Sequence, residues 1–312
     1  MAKSIGVDVG YSTVRVVLNS EPGDYKSEEA VVAISVADGA AVACGNEAVE
    51  LSERVPGSVT LVRPFSGEVT PEPQYITAYF SYIVKKMKLK GASVLLSVSG
   101  SHDDQTESIY VNAIQKAGIG NISVIDSVYA AACGCMVKGA RNSAIVNIGA
   151  SVTDMGCFEK GEQTISRSNS FASNAFDRAI IAKVLADHKC RPSLEEAERI
   201  KLELLNLTSE SSKTYVASTV RPGLGLPKKV ELTSKEISTG CEDVFESLAD
   251  EISDMIRSCS VEPDKVILTG GGAKLSGLVS ALTPLLLMPI EIAEEPELAI
   301  IRGLEALLPS TK

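Results

Sequence analysis

The chain has 312 residues, 45% of them hydrophobic, a formal net charge of −10 and a pI near 4.9. It is long enough for one large or two medium domains with a substantial buried core. Its acidity argues against non-specific nucleic-acid binding, which needs a basic surface, and no apolar run reaches the roughly 18 residues of a membrane-spanning helix.

The start, Met1-Ala2-Lys3-Ser4, leads almost directly into the apolar Ile5-Gly6-Val7, so neither a signal peptide nor an amphipathic extension is expected. The seven cysteines (44, 133, 135, 157, 190, 241 and 259) form an odd, scattered set, which predicts reduced thiols in a cytoplasmic protein. Cys133 and Cys135 are read as small buried residues, because the chain has only His102 and His188 and no second cysteine pair to complete a metal site.

In chain order, Ile5–Val9 and Thr13–Leu18 predict two strands around a Gly10-Tyr11-Ser12 turn. Ala30–Val36 is a further β-rich run, and the prolines and glycines at 56, 57, 64 and 67 predict a loop-rich stretch. Apolar residues from Ile76 to Met87 repeat at three and four, an amphipathic helix. Val94–Val98 reads as a strand, Gln105–Ala117 as a helix stopped at Gly118, Ile122–Ile125 as a strand, and the Ala-rich segment from Val128 as a packed helix.

The second half begins again with strands at Ser143–Ile148 and Val152–Phe158. Helices are predicted at Phe176–His188 and Leu194–Leu205, a polar turn-rich stretch at Ser209–Pro227, and one long helix over Ser234–Ser258. Val266–Thr269 is a strand that enters Gly270-Gly271-Gly272, with a helix expected to leave it. Strands alternating with helices predict an α/β protein whose mixed sheets are flanked by helices.

An internal echo points to a site. Val7-Asp8-Val9-Gly10-Tyr11-Ser12 and Val146-Asn147-Ile148-Gly149-Ala150-Ser151 share one pattern, and each opens one half of the chain. A tight Gly turn lets backbone N–H groups approach an anion, and adjacent hydroxyls add donors. Two such turns from opposing lobes would clamp a polyphosphate; each alone is also compatible with an ordinary hairpin. Asp8, ending the first strand, suits a water-coated Mg²⁺. The Gly270–Lys274 stretch lets backbone lie flat on an adenosine or approach phosphate, yet it is neither a Walker A loop nor a dinucleotide fingerprint.

These motifs, in this order, resemble the actin–heat-shock chaperone–sugar-kinase superfamily, and within it the MreB family of bacterial rod-shape proteins. Ile5–Leu18 resembles the first phosphate motif. Val31-Val32-Ala33-Ile34, Gly45-Asn46-Glu47-Ala48 and Val62-Arg63-Pro64-Phe65-Ser66-Gly67-Glu68-Val69 resemble the small upper subdomain and its return. Ile125–Gly134 resembles the first connecting helix, Ile145–Met155 the second phosphate motif, Glu198-Arg199-Ile200-Lys201 the nucleoside-contacting helix, Thr269–Leu278 the adenosine motif, and Ala293-Glu294-Glu295-Pro296 with Gly303 the second connecting region.

The resemblance implies a two-lobed actin-like ATPase fold with a nucleotide cleft between the lobes. Lobe I would comprise 1–139 plus 297–312 (small subdomain about 30–66), and lobe II 140–296 (small subdomain about 171–234). It implies ATP with Mg²⁺ held by Asp8, Gly10, Tyr11, Ser12, Thr13, Gly149, Ala150, Ser151, Val152, Gly270, Gly271, Gly272, Ala273 and Lys274. Glu198 and Lys201, three apart on one helix face, would contact adenosine. It further implies self-assembly into filaments that work with the cell-wall elongation and shape machinery, in the cytoplasm or at the inner membrane face. Direct membrane binding stays open.

The departures from the family lie in the catalytic parts. Asn147 stands where the family has Asp, and Tyr11 where a small Thr is usual. Ala150 is expected to be strained if its position needs positive φ. Ala172-Ser173-Asn174 replaces a glycine pair. Ser127, after Asp126, occupies the place of the Glu that orients the attacking water, leaving Asp126 as the available acid. Hydrolysis is therefore expected to be slow. A non-polymerising nucleotide-binding adaptor or chaperone-like relative is the alternative, and a small-molecule kinase on the same fold is a third reading that lacks a catalytic base beyond Asp126.

Overall fold

The structure, a computed structural model, describes residues 3–65, 72–100, 104–135, 142–208 and 212–309. The sequence expectations for His102 and for Ser66-Gly67-Glu68-Val69 lie outside these residues. The chain divides into two compact units, residues 1–139 with 297–312 and residues 140–296. Each is described separately.

The first unit runs β1 (Ser4–Val9), β2 (Thr13–Leu18), β3 (Lys26–Glu29), β4 (Val32–Ser35), β5 (Ala41–Cys44), α1 (Asn46–Arg54), β6 (Val59–Val62), α2 (Pro73–Lys86), β7 (Ser93–Val98), α3 (Asp104–Lys116), β8 (Asn121–Asp126) and α4 (Ser127–Cys135). Its main sheet has the order β3-β2-β1-β7-β8, and a small sheet has the order β5-β4-β6. β1 runs antiparallel to β2 and parallel to β7, which is parallel to β8. Both sheet faces are buried. Val14 and Val16 pack with Ile76, Tyr79, Phe80 and Ile83 of α2, whereas Val17 packs with the C-terminal helix described below. Such burial on two faces accounts for the near-continuous apolar runs of β1 and β2.

The second unit runs β9 (Asn142–Ile148), β10 (Thr153–Glu159), β11 (Glu162–Asn169), α5 (Ser173–His188), β12 (Arg191–Pro192), α6 (Leu194–Leu204), β13 (Thr214–Val220), β14 (Pro227–Thr233), α7 (Ser234–Gly240), α8 (Glu242–Arg257), β15 (Val266–Thr269), α9 (Leu278–Leu286) and β16 (Ile290–Ile292). The main sheet is β11-β10-β9-β15-β16, and β12-β13-β14 form a small sheet. β9 is antiparallel to β10 and parallel to β15. Strand for strand, this repeats the main sheet of the first unit. The internal echo thus marks two copies of one sheet, not two chance hairpins. α10 (Ala299–Leu307) then returns to the first unit and packs on α4.

The structure corrects several expectations. The stretch expected to be turn-rich up to Pro227 contains β13, a strand whose inward positions include the small or polar Ala217 and Thr219; these hide its period of two. The long helix expected over 234–258 is two helices that meet at the fully buried Cys241. A side chain at the preceding Gly240 would collide with Lys183 at 2.8 Å. β6 lies inside the stretch read as loop. The segment leaving the triple glycine is a 3₁₀ turn, Gly271–Lys274, and α9 starts only at Leu278. The cysteines are not all reduced thiols. Cys157 of β10 and Cys259, just past α8, are joined with Cα atoms 6.3 Å apart, a normal disulfide span. The other five are free. Strand and helix ends 102 residues apart in sequence meet there, which the spacing of the cysteines does not disclose.

Candidate functional site

In each main sheet the carboxyl ends of the parallel strands lie side by side, the usual location of ligand sites in α/β proteins. In the first unit Asp8 pairs with Ser97 of β7, and Asp126 ends β8 beside Val98. In the second, Asn147 pairs with Thr269 of β15.

The two echoed turns are closed identically. Gly10 N donates to Thr13 O at 3.1 Å, and Gly149 N donates to Val152 O at 3.0 Å. A Cβ on Gly10 would sit 2.8 Å from Thr13 O, and one on Gly149 2.7 Å from Val152 O. Glycine is thus needed for space and not for φ, since neither residue has positive φ. Ala150 is also outside the positive-φ region, so the strain expected of it does not arise. Its carbonyl accepts from Asn174 N at 2.7 Å, and Gly149 O accepts from Ser173 N at 3.1 Å, so the start of α5 anchors the turn. Ala172 adopts φ −124°, ψ −175°, a conformation that needs no glycine. Ser151 Oγ is buried with no hydrogen-bond partner among the described residues. An unmet buried hydroxyl at a turn of this kind is the feature an anion's oxygen would satisfy.

The Asp8 carboxylate is largely buried and lies 3.6 Å from Arg15, its partner across the hairpin. At the equivalent place, Asn147 Oδ1 accepts from Thr269 Oγ1 at 3.2 Å, so the amide ties β9 to β15 and brings no charge. Tyr11 does more than narrow its turn. Its ring carries the Arg63 guanidinium 5.1 Å from its centroid, and Arg63 also donates to Tyr11 O at 3.2 Å and Ser12 O at 3.3 Å. Arg63 follows β6 of the small sheet and fastens it to the turn. The sequence placed Arg63 only within a longer resembling segment; its contact with Tyr11, 52 residues away, has no local signal.

Asp126 has a structural role at the end of β8. Its Oδ1 accepts from Val128 N at 2.9 Å, capping α4, and Ser127 is the buried first residue of that helix. Glu198 and Lys201 do not act as a matched pair. Glu198 is exposed, while Lys201 is 4% exposed and donates to Asp177 Oδ2 and Ser173 Oγ, each at 2.8 Å. The Lys201 ammonium therefore braces α5 against α6. Burial pushes the Asp177 carboxyl above its ordinary value, against the downward pull of Lys201, and its Oδ1 has no hydrogen-bond partner among the described residues.

The triple glycine packs on β9. A Cβ on Gly270, whose φ is +79°, would lie 2.4 Å from Ile148 O, and one on Gly272 2.3 Å from Ile148 Cγ2. Gly271 is exposed, and a Cβ there would meet nothing within 4 Å. Gly270 and Gly272 are thus explained by packing, whereas Gly271 presents bare backbone beside the Gly149 turn. Ala273 is buried, and Lys274 is exposed.

Two copies of one five-stranded sheet, each bearing a glycine-closed turn at the carboxyl end of its first strand and an inserted three-stranded sheet, define a protein of the actin-like class. The MreB5 protein of Spiroplasma citri bound to ADP shares this fold, with a TM-score of 0.89, 20% identity and coverage of 98% of this chain and 96% of that one. So does MamK in a double helical filament, with a TM-score of 0.81, 16% identity and coverage of 99% and 100%. In sequence the chain is 24% identical to the cell shape-determining protein Mbl of Bacillus subtilis, covering 98% of this chain and 96% of Mbl. It is also 24% identical to the cell shape-determining protein MreB of Escherichia coli, covering 97% and 92%. The family described as MreB/Mbl protein matches residues 2–312, and the chain belongs to that family.

Proposed function

We propose that this chain is a nucleotide-binding actin-like protein that assembles into filaments and takes part in determining cell shape, with slow ATP hydrolysis. The observation that carries the reading is the duplicated turn: Gly10 and Gly149 close equivalent hairpins in the same way, and the second has an unmet buried hydroxyl and the open backbone of Gly271 beside it. The relatives support it. Structural neighbours were solved with ADP, with AMPPNP and as a double helical filament, and sequence relatives are named for cell shape.

In this reading the phosphates are met by Gly10, Tyr11, Ser12 and Thr13 of the first unit and Gly149, Ala150, Ser151 and Val152 of the second. Gly270–Lys274 and the exposed Glu198 serve the nucleoside. Lys201 positions α6 through Asp177. Asp8 is the carboxylate that would hold Mg²⁺ through water, and its burial at the end of β1 fits that task. A bound Mg²⁺ would neutralise phosphate charge. Asn147 adds no second carboxylate, and Asp126 Oδ1 is engaged by its helix; these two facts favour slow turnover.

Calorimetric titration of ATP with Mg²⁺, phosphate release and sedimentation on one sample test the reading. Saturable binding, slow release and a nucleotide-dependent pellet are expected. Absence of saturable binding overturns it. Binding with no pellet at any protein concentration would instead establish the non-polymerising adaptor, the second reading that the capped Asp126 and neutral Asn147 favour. Gly271→Ala separates site from fold: its Cβ meets open space, so stability should change by less than about 0.5 kcal/mol while nucleotide affinity falls about tenfold or more.

A further inference from the structure

The bond between Cys157 and Cys259 is a feature that nucleotide binding does not use. Cys157 lies within β10 and is 1% exposed, whereas Cys259, just past the last turn of α8, is half-buried. The bond ties the end of that helix to the main sheet of the second unit. Beside it, Arg167 of β11 donates to Ser258 Oγ at 2.8 Å, a weaker tie between the same two parts. The chain is not a disulfide framework. One pair is joined, and five cysteines stay free, including the half-buried Cys133 and Cys135. A single pair among free thiols is the pattern of a redox-responsive site, not of a stapled scaffold.

The surroundings accommodate the opened pair as well as the closed one. Met255 Sδ lies 3.1 Å from Cys157 Sγ, and Met255 O lies 3.9 Å from Cys157 Sγ and 3.5 Å from Cys259 Sγ. That carbonyl is placed to accept weak S–H hydrogen bonds from both thiols. On opening, the sulfurs must separate to van der Waals contact. Cys259 can turn outward because it is half-buried and lies beyond the helix end. The pliant Met255 side chain can fill the space left against Cys157.

The unequal burial also fixes the route. A small thiolate reaches Cys259 Sγ and not Cys157 Sγ. It forms a mixed disulfide at Cys259 and expels Cys157 as a thiolate, which takes up a proton. A second small thiolate attacks the small molecule's sulfur in that mixed disulfide, releasing Cys259 as a thiol after protonation and leaving a small-molecule disulfide. Two thiols have then given two electrons to the protein disulfide, and a small-molecule disulfide closes the pair by the reverse steps.

We propose that Cys157 and Cys259 are a reversible redox lock on the second unit: small thiols open it at Cys259, and opening releases the last turn of α8 from β10. The lock needs neither nucleotide nor assembly. Its failure therefore leaves the nucleotide-binding reading intact, and the converse also holds.

The test holds the folded full chain in reduced and oxidised glutathione at several ratios, without denaturant. Free thiols are then trapped and mapped by peptide mass, and amide hydrogen exchange is followed at Ser258 and Cys259. Seven free thiols are expected at the reducing end and five at the oxidising end. Reduction should speed exchange at the two amides about tenfold or more, with unchanged circular dichroism. C157S/C259S should exchange at the reduced rate at every ratio. Under oxidised glutathione, C157S should carry glutathione on Cys259, and C259S should carry none on Cys157. A pair that stays joined at the reducing end is a permanent staple, and one that stays open at the oxidising end is no lock; either result overturns the proposal. So does interconversion that leaves exchange at Ser258 and Cys259 unchanged, or glutathione found on Cys157 of C259S.

Discussion

Gly303→Ala is expected to destabilise the first unit severely. α4 and α10 pack backbone to backbone. A Cβ on Gly303 would lie 1.7 Å from Ala130 O, and one on Gly134 would lie 1.9 Å from Ala299 O and 2.8 Å from Gly303 N. No rotamer relieves a clash between a Cβ and a carbonyl, so the helices would have to separate. Separation would expose Ile301 and Leu304, which pack with Val17 and Ala130, and would shift Leu304 from Gly6 of β1. Overpacking typically costs about 1–3 kcal/mol and a backbone clash this close lies at or above the upper end, a large part of the stability of a domain. Denaturant unfolding followed by circular dichroism is the measurement. Unfolding need not be two-state in a chain with two units, so loss of the first transition is the readout. Gly134→Ala should behave alike, and Gly271→Ala, with open space at its Cβ, is the control. A Gly303→Ala variant as stable as the parent would refute the close packing.

Lys201→Met should be the next most damaging change. It removes the counter-charge of an Asp177 carboxylate that is 3% exposed, together with the bonds to Ser173. Stranding one partner of a buried pair costs about 3–5 kcal/mol. The pH dependence follows from the sign of the shift. A carboxyl raised in the folded state binds its proton more tightly folded than unfolded, so that group's contribution is most favourable at low pH and is lost as pH rises from the ordinary value of 3.8 through the folded one. Without Lys201 the carboxyl is raised further. The loss relative to the parent should therefore be smaller at mildly acidic pH than at neutral pH. D177N/K201M should recover much of the stability, since no buried charge remains. Urea unfolding of parent, single and double variants at two pH values decides the matter. A Lys201→Met variant with unchanged stability but weakened nucleotide binding would return Lys201 to the direct ligand role that its sequence motif implied.

The parts of this protein that the sequence by itself determined are those whose cause is local. The β1–β2 and β9–β10 hairpins, the amphipathic α2, the capped α6 and the two glycine turns all follow from apolar period, turn chemistry and the echo between Asp8–Ser12 and Asn147–Ser151. The turn glycines were legible because the steric demand comes from a residue three positions away.

What only the tertiary structure decided depends on partners far along the chain. The bond from Val128 N to Asp126 at the start of α4 and the hold of Asp177 of α5 on Lys201, 24 residues away, have no local signal in the sequence. Ala150 was free of strain because the start of α5 supports its turn. β13 hid behind inward-facing Ala217 and Thr219, and the close approach of Lys183 of another helix to Gly240, beside the break at Cys241, has no local signal. The joining of Cys157 to Cys259 and the contact of Gly134 and Gly303 with their opposing helices arise from folding alone. Periodicity records which face of an element is buried. Which group it is buried against is decided by packing of the whole unit.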